Sequence, residues 1–157
     1  PPPGTLSHAS GRGCSVAATL LPRMSLSSLT SQRGESGRCA VAALHSVNVN
    51  ELNGAILTRL DVLDGFHPVK ICTHYRLDGQ TTDQFPNSPS TLARCEPVYE
   101  EFPGWDAPTA GLTRWEELPE AAQNYVKRIE ELLGCSINFI STGPHRRETI
   151  AIRPFIN

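Results

Sequence analysis

Two short stretches of the chain carry residue types that can recognise a ligand. The first is Thr58-Arg59-Leu60-Asp61, inside ILTRLDVLDGF, where an apolar run ends in charge. The second is Ser141-Thr142-Gly143-Pro144, directly after INFI. An aspartate leaving a strand offers two acceptor oxygens, which match the N1–H and exocyclic amine of guanine; adenine lacks that donor pair. A guanidinium two residues earlier can cover the face of a base. A Ser-Thr-Gly turn adds hydroxyls and closely approaching backbone N–H groups. Hydrogen bonds to a charged partner contribute about 1.5–3 kcal/mol each. The same patterns also serve as helix caps and tight turns, at Asp61 or Asp64 as much as at STGP, so spacing alone leaves both readings open.

Other polar groups suggest less. His67, His74 and His145 are not at metal-ligand spacing. Cys72, in a strand pattern, reads as a packed thiol. His145-Arg-Arg-Glu148 suits a solvated turn better than a phosphate site, and Glu116, Glu117 and Glu120 suit a helix start. Neither a GxxxxGK[ST] phosphate loop nor a glycine-rich dinucleotide loop occurs in the sequence.

The elements that must position these residues are legible from Ala40 onward. CAVAALHSVNV suits a short buried helix and GAILTRLDVL an interior strand. In VKICTHYRL, Val69, Ile71, Thr73 and Tyr75 alternate with Lys70, Cys72, His74 and Arg76, as in a half-buried strand. Asp78-Gly79-Gln80 supplies a hairpin turn, with TTDQF returning as its partner. PVYEEF forms another strand, stopped at Pro103-Gly104. LPEAAQNYVKRIEELLG predicts a helix, with Pro119 in its first turn, Gly134 as its cap, and Ala122, Tyr125, Val126, Ile129, Leu132 and Leu133 on one face. SINFIS and ETIAIRP are two last strands. The order points to a mixed α/β or α+β layer with flanking helices.

Bulk properties narrow the class. The 157 residues suffice for one sizeable core, and the formal net charge is −2. Basic residues do not cluster as they would on a nucleic-acid or anionic-membrane surface, and no apolar run is long enough to span a bilayer. Five cysteines without CxxC spacing argue against a disulfide framework or zinc site and for reduced thiols in a cytoplasmic protein. Residues 1–38 are rich in Ser, Gly, Pro and Arg, with Glu35 the sole acid, so disorder is expected; the composition also fits an organelle transit peptide. The Pro1-Pro2-Pro3 start and the single, internal Met24 lead to the expectation of a piece of something longer.

Taken jointly and in order, LTRLDVLDGF, YRLDG, CEPVYEEFPGW, LPEAAQNYVKRIEELLG and ISTGP closely resemble the C-terminal part of the adenylosuccinate synthetase family, from about Ala40 to the end. The resemblance implies the corresponding part of a P-loop-NTPase-like fold. It also implies a cytoplasmic, homodimeric, magnesium-dependent ligase that couples GTP hydrolysis to joining IMP and L-aspartate in purine biosynthesis. The family's guanine-binding segment reads Thr-Lys-Leu-Asp, which carries over to Arg59, Leu60 and Asp61, with Arg59 in place of lysine. A second GTP-contacting segment carries over to Ser141, Thr142 and Gly143. The phosphate loop, the catalytic residues and the magnesium ligands are expected outside this chain, and Arg38 is too isolated to stand for the family's IMP-holding arginines. The expected role is therefore base recognition without independent catalysis. A stand-alone guanine-nucleotide module and a non-functional truncated product are the alternatives.

Overall fold

A computed structural model describes residues 37–153, so the expectations for residues 1–36 and 154–157 lie outside the described residues. The elements are β1 (Gly37–Cys39), α1 (Ala40–Val49), β2 (Gly54–Leu57), β3 (Val69–Leu77), β4 (Gln80–Thr82), α2 (Pro89–Leu92), β5 (Glu96–Phe102), α3 (Glu120–Leu133), β6 (Ser136–Ser141) and β7 (Thr149–Ala151). The α/β class holds, but the strands divide into two mixed sheets. In one, β3 pairs antiparallel with β5 along one side; along the other it pairs with parallel β1 and then antiparallel β4. In the second, β6 lies between parallel β2 and antiparallel β7.

The helix α3 follows its sequence pattern. Ala122, Tyr125, Val126, Ile129 and Leu133 are buried, Leu132 is packed against their edge, and Gly134 caps the helix in the left-handed region at φ 62°. Pro119 is the N-cap residue, just ahead of the first turn. Arg128 reaches from this helix to fork the Glu100 carboxylate on β5, with contacts of 3.0–3.3 Å, and meets Glu131 one turn on. Tyr125 is the aromatic centre of the core: Phe102 meets its ring edge-on at 5.9 Å and Trp105 at 5.8 Å.

Three elements differ from their sequence patterns, each for a local reason. The run GAILTRLDVL is not one strand: β2 stops at Leu57, and Leu60–Leu63 forms a 3-10 turn. Residues three apart share a face in a 3-10 turn, so Leu60 and Leu63 both enter the core; a strand would have split them between its faces. The returning arm of the hairpin is Gln80–Thr82, closed on the tight Asp78-Gly79 pair at φ 50° and 84°, so Asp83 to Phe85 lie beyond it. In β3 the alternation slips. The register opposite β5 shifts between Cys72 and His74, leaving Thr73 as a bulge. Val69 and Ile71 face the main core, whereas Cys72 and Tyr75 both face a second cluster with Val41 and Cys95. One extra residue thus moves Tyr75 off the face its spacing predicts.

Gly104 marks where the chain leaving β5 crosses the chain entering β3. A Cβ there would collide with the backbone carbonyl of Phe66 and the His67 ring. Gly104→Ala is expected to lower the unfolding free energy by about 1–3 kcal/mol through overpacking, read from a denaturant melt.

Candidate functional site

Strands β2 and β6 run parallel, with Leu57 beside Ile140. Both carboxyl ends therefore open on the same edge, and Thr58–Asp61 and Ser141–Gly143 leave the sheet side by side. The edge beyond the carboxyl ends of parallel strands is where open α/β sheets present ligand sites. Sequence proximity had no part in this pairing, because some eighty residues separate the two segments.

The first segment turns on Arg59, whose backbone sits in the left-handed region at φ 55° and ψ 58°. That conformation is uncommon for a side chain other than Asn, Asp or Gly, and here it ends β2 abruptly. Arg59 then folds over Asp61. Its Nε donates to one carboxylate oxygen and its Nη2 to the other, each at 3.0 Å. Arg59 is about half exposed (48 %) and Asp61 mostly covered (13 %), so the guanidinium is the outer partner. Leu60 is fully buried and anchors the turn.

Arg38 supports the same segment from below. Its Nη2 donates to the carbonyls of Thr58 and Arg59, at 2.9 Å each, satisfying acceptors left free where the strand stops. Burial lowers the proton affinity of Arg38, opposed by the neighbouring Tyr125 and Asp61. Burial pushes Tyr125 up to about 12, and Arg38 pulls the other way. The Arg38 Nε and the Tyr125 hydroxyl are buried without a well-formed hydrogen bond. A lone arginine beside no recognisable pattern gave no sign of this role in the sequence.

Asp64, three residues beyond Asp61, does different work. One of its oxygens accepts from Trp105 Nε1 and Thr109 Oγ1, the other from the Thr109 backbone N–H, all at 2.7 Å. Gly65 N–H also donates to the Trp105 carbonyl at 2.9 Å. Asp64 is therefore the turn-closing aspartate, whereas the Asp61 carboxylate is held by Arg59.

The second segment is closed mainly by backbone. The Ser141 hydroxyl donates to the Gly143 carbonyl at 2.7 Å. Thr142 is fully buried; its hydroxyl donates to the Leu112 carbonyl at 2.7 Å and its N–H to the Glu148 carbonyl at 2.9 Å, while its own carbonyl accepts from Gly111. Gly143 sits against the Glu148 carboxylate, where any Cβ would collide. Glu148 in turn accepts from the His145 N–H at 2.8 Å, so the His145–Glu148 stretch is the turn its composition suggested. His67 pairs with Asp106 at 2.8 Å. Among the described residues no three His, Cys, Asp or Glu side chains converge as a metal site.

A family model described as adenylosuccinate synthetase matches residues 30–150. The chain belongs to the adenylosuccinate synthetase family. The matched region begins upstream of the Ala40 start read from the motifs, and so takes in Arg38 and β1. The chain is 51 % identical to adenylosuccinate synthetase 1 of Cupriavidus pinatubonensis over 127 residues, covering 80 % of this chain and 28 % of that protein. It is 48 % identical to the adenylosuccinate synthetase of Ralstonia nicotianae over a similar span. Among solved structures, the fully ligated adenylosuccinate synthetase of Plasmodium falciparum superposes with a TM-score of 0.69 at 29 % identity, covering 73 % of this chain and 28 % of that one. The chain thus spans rather more than a quarter of the length of these family members.

The two aspartates should separate by experiment. Asp64→Ala removes the common acceptor of three donors and is expected to cost about 2–4 kcal/mol of stability. Asp61→Asn, at an ion pair whose Arg59 partner is half exposed, is expected to cost less, about 1 kcal/mol. Parallel denaturant melts of the two variants check both values.

Proposed function

We propose that the shared edge of β2 and β6 is the guanine-reading wall of a GTP site, serving the ligation of IMP and L-aspartate to adenylosuccinate. The observation that carries this reading is the Leu57–Ile140 register, which brings together the two segments whose chemistry suits a guanine. Asp61 accepts from the base's N1–H and exocyclic amine. Ser141, Thr142 and Gly143 form the neighbouring wall, with Thr142 holding it from beneath because its hydroxyl and N–H are both engaged within the fold. Magnesium, IMP, aspartate and a second subunit belong to the proposed reaction through residues other than the described ones, and the cytoplasm is its proposed setting.

The Arg59 fork shapes how a base would enter. A guanidinium and the Watson–Crick edge of guanine both present two parallel N–H donors, and both suit the two oxygens of one carboxylate. The incoming base therefore takes over the contacts that Arg59 makes with Asp61, and the released guanidinium swings over the ring.

The sequence contains no glycine-rich phosphate loop, which favours a second reading of this chain as a guanine-nucleotide-binding module without turnover. Calorimetric titration tests the base-reading proposal directly. GDP and GTP are expected to bind in preference to ATP. Asp61→Asn is expected to weaken GDP by about 10–100-fold and to favour the xanthine nucleotide, whose 2-position is a carbonyl. Equal binding of GDP and ATP, or a nucleotide preference unchanged in Asp61→Asn, would overturn the assignment. For activity, the chain alone is expected to form no adenylosuccinate from IMP, aspartate and GTP in an absorbance assay; GTP-dependent turnover by a pure sample would exclude the module reading.

A further inference from the structure

Away from the β2–β6 edge, the parallel pairing of β1 with β3 sets Cys39 directly opposite Cys72. Neighbouring strands lie about 4.8 Å apart, within the Cα separations of about 4.4–6.8 Å that a disulfide spans. Partnered residues of adjacent strands point to the same face, so the two sulfurs share one side of the sheet. The bulge at Thr73 brings Tyr75 to that side as well.

The surroundings of the two sulfurs differ. Cys39 is the N-cap of the ten-residue helix α1, and its Sγ accepts from the Ala42 N–H at 3.5 Å. Its Sγ also lies 3.0 Å from the Tyr75 hydroxyl. Its contacts with Cys72, Tyr75 and the first amides of α1 push the Cys39 thiol down to about 6; the contact with Cys72 is the largest cause, and burial opposes the shift. Cys72 is pushed up by the same contact and by burial, so it keeps its proton. Its Sγ also donates to the His74 carbonyl at 3.4 Å. Of the four described cysteines, all free, Cys39 alone is incompletely buried.

We propose that Cys39 and Cys72 form a redox-active dithiol, in which Cys39 reacts with hydroperoxides and Cys72 resolves the product. With hydrogen peroxide, the Cys39 thiolate attacks one oxygen. An S–O bond forms, the O–O bond breaks, and hydroxide leaves and takes up a proton to become water. Cys39, oxidised by two electrons, is now a sulfenic acid. The Cys72 sulfur then attacks the sulfenic sulfur, passing its proton to the departing hydroxyl. The S–S bond forms, the S–O bond breaks, and a second water leaves. A dithiol reductant reverses the change by exchange.

The division of roles follows from thiolate character and access. The attacking sulfur must form a thiolate and be reachable; Cys39 caps a helix N-terminus, has a lowered proton affinity and is the one described cysteine that is not fully buried. Cys95 faces the same cluster but is buried, pushed up by burial, and donates to the Thr91 carbonyl at 3.3 Å. Cys135 is also buried and pushed up.

Peptide mapping of the full chain tests the proposal. The protein is exposed to hydrogen peroxide, alkylated with N-ethylmaleimide under denaturing conditions without reductant, and digested. A peptide linking Cys39 to Cys72 is expected, in a chain lighter by two hydrogens, with full recovery after dithiothreitol. Cys39 should be consumed about tenfold or more faster than Cys95 or Cys135. Cys72→Ser should leave Cys39 as a sulfenic acid captured by dimedone, and Cys39→Ser should give no cross-link. The wild-type map does not depend on either variant folding. Recovery of Cys39 and Cys72 as separate alkylated peptides, oxidation of Cys95 or Cys135 at the same rate, or a cross-link from Cys39 to Cys14 would overturn it.

Discussion

Three donors converge on the carboxylate of Asp64, and the positions of both candidate segments depend on that convergence. Trp105 and Thr109 belong to the connection after β5, while Asp64 closes the turn that follows β2. The same connection continues through Gly111 and Leu112, which exchange hydrogen bonds with Thr142 beyond β6. A single thread of polar contacts thus runs from the turn after Asp61 to the turn after Ile140. Its members Thr109 and Thr142 are fully buried, where an unpaired polar group is costly and a paired one rigid. The sheet register brings the two turns to the same edge; this thread holds each at its place on it.

Around that thread the fold resolves its backbone accounting with arginines. Arg38 covers two carbonyls orphaned by the end of β2, and Arg59 takes a left-handed backbone that turns its guanidinium back over Asp61. The two act at different depths. Arg38 is a support from below, and its loss would leave the Thr58 and Arg59 carbonyls without that partner. Arg59 is a half-exposed cover over a mostly covered carboxylate.

Much of the scaffold was legible because it follows simple periods. The face of α3, the span of β3 and the Asp78-Gly79 turn are each set by residues within one element. What escaped depended on distant partners. The bulge at Thr73 is visible only against β5, and it alone explains why Tyr75 leaves the Val69–Ile71 face. Leu60 and Leu63 read equally well in a strand until the core on one side claims both. Strand β1, three residues long, has no room for a pattern. After β2, the spacing left Asp61 and Asp64 alike open to closing a turn. The two are distinguished by Trp105 and Thr109, more than forty residues away, which no local pattern announces. The support from Arg38 was illegible for the same reason, since its partners are carbonyls that carry no residue identity.

The Arg59 fork also settles the local electrostatics where β2 ends. A mostly covered carboxylate without a partner would be costly. Asp61 is instead matched by a cation of the right shape, supplied from two residues away along its own chain. The acid that ends the strand thus brings its own counter-charge.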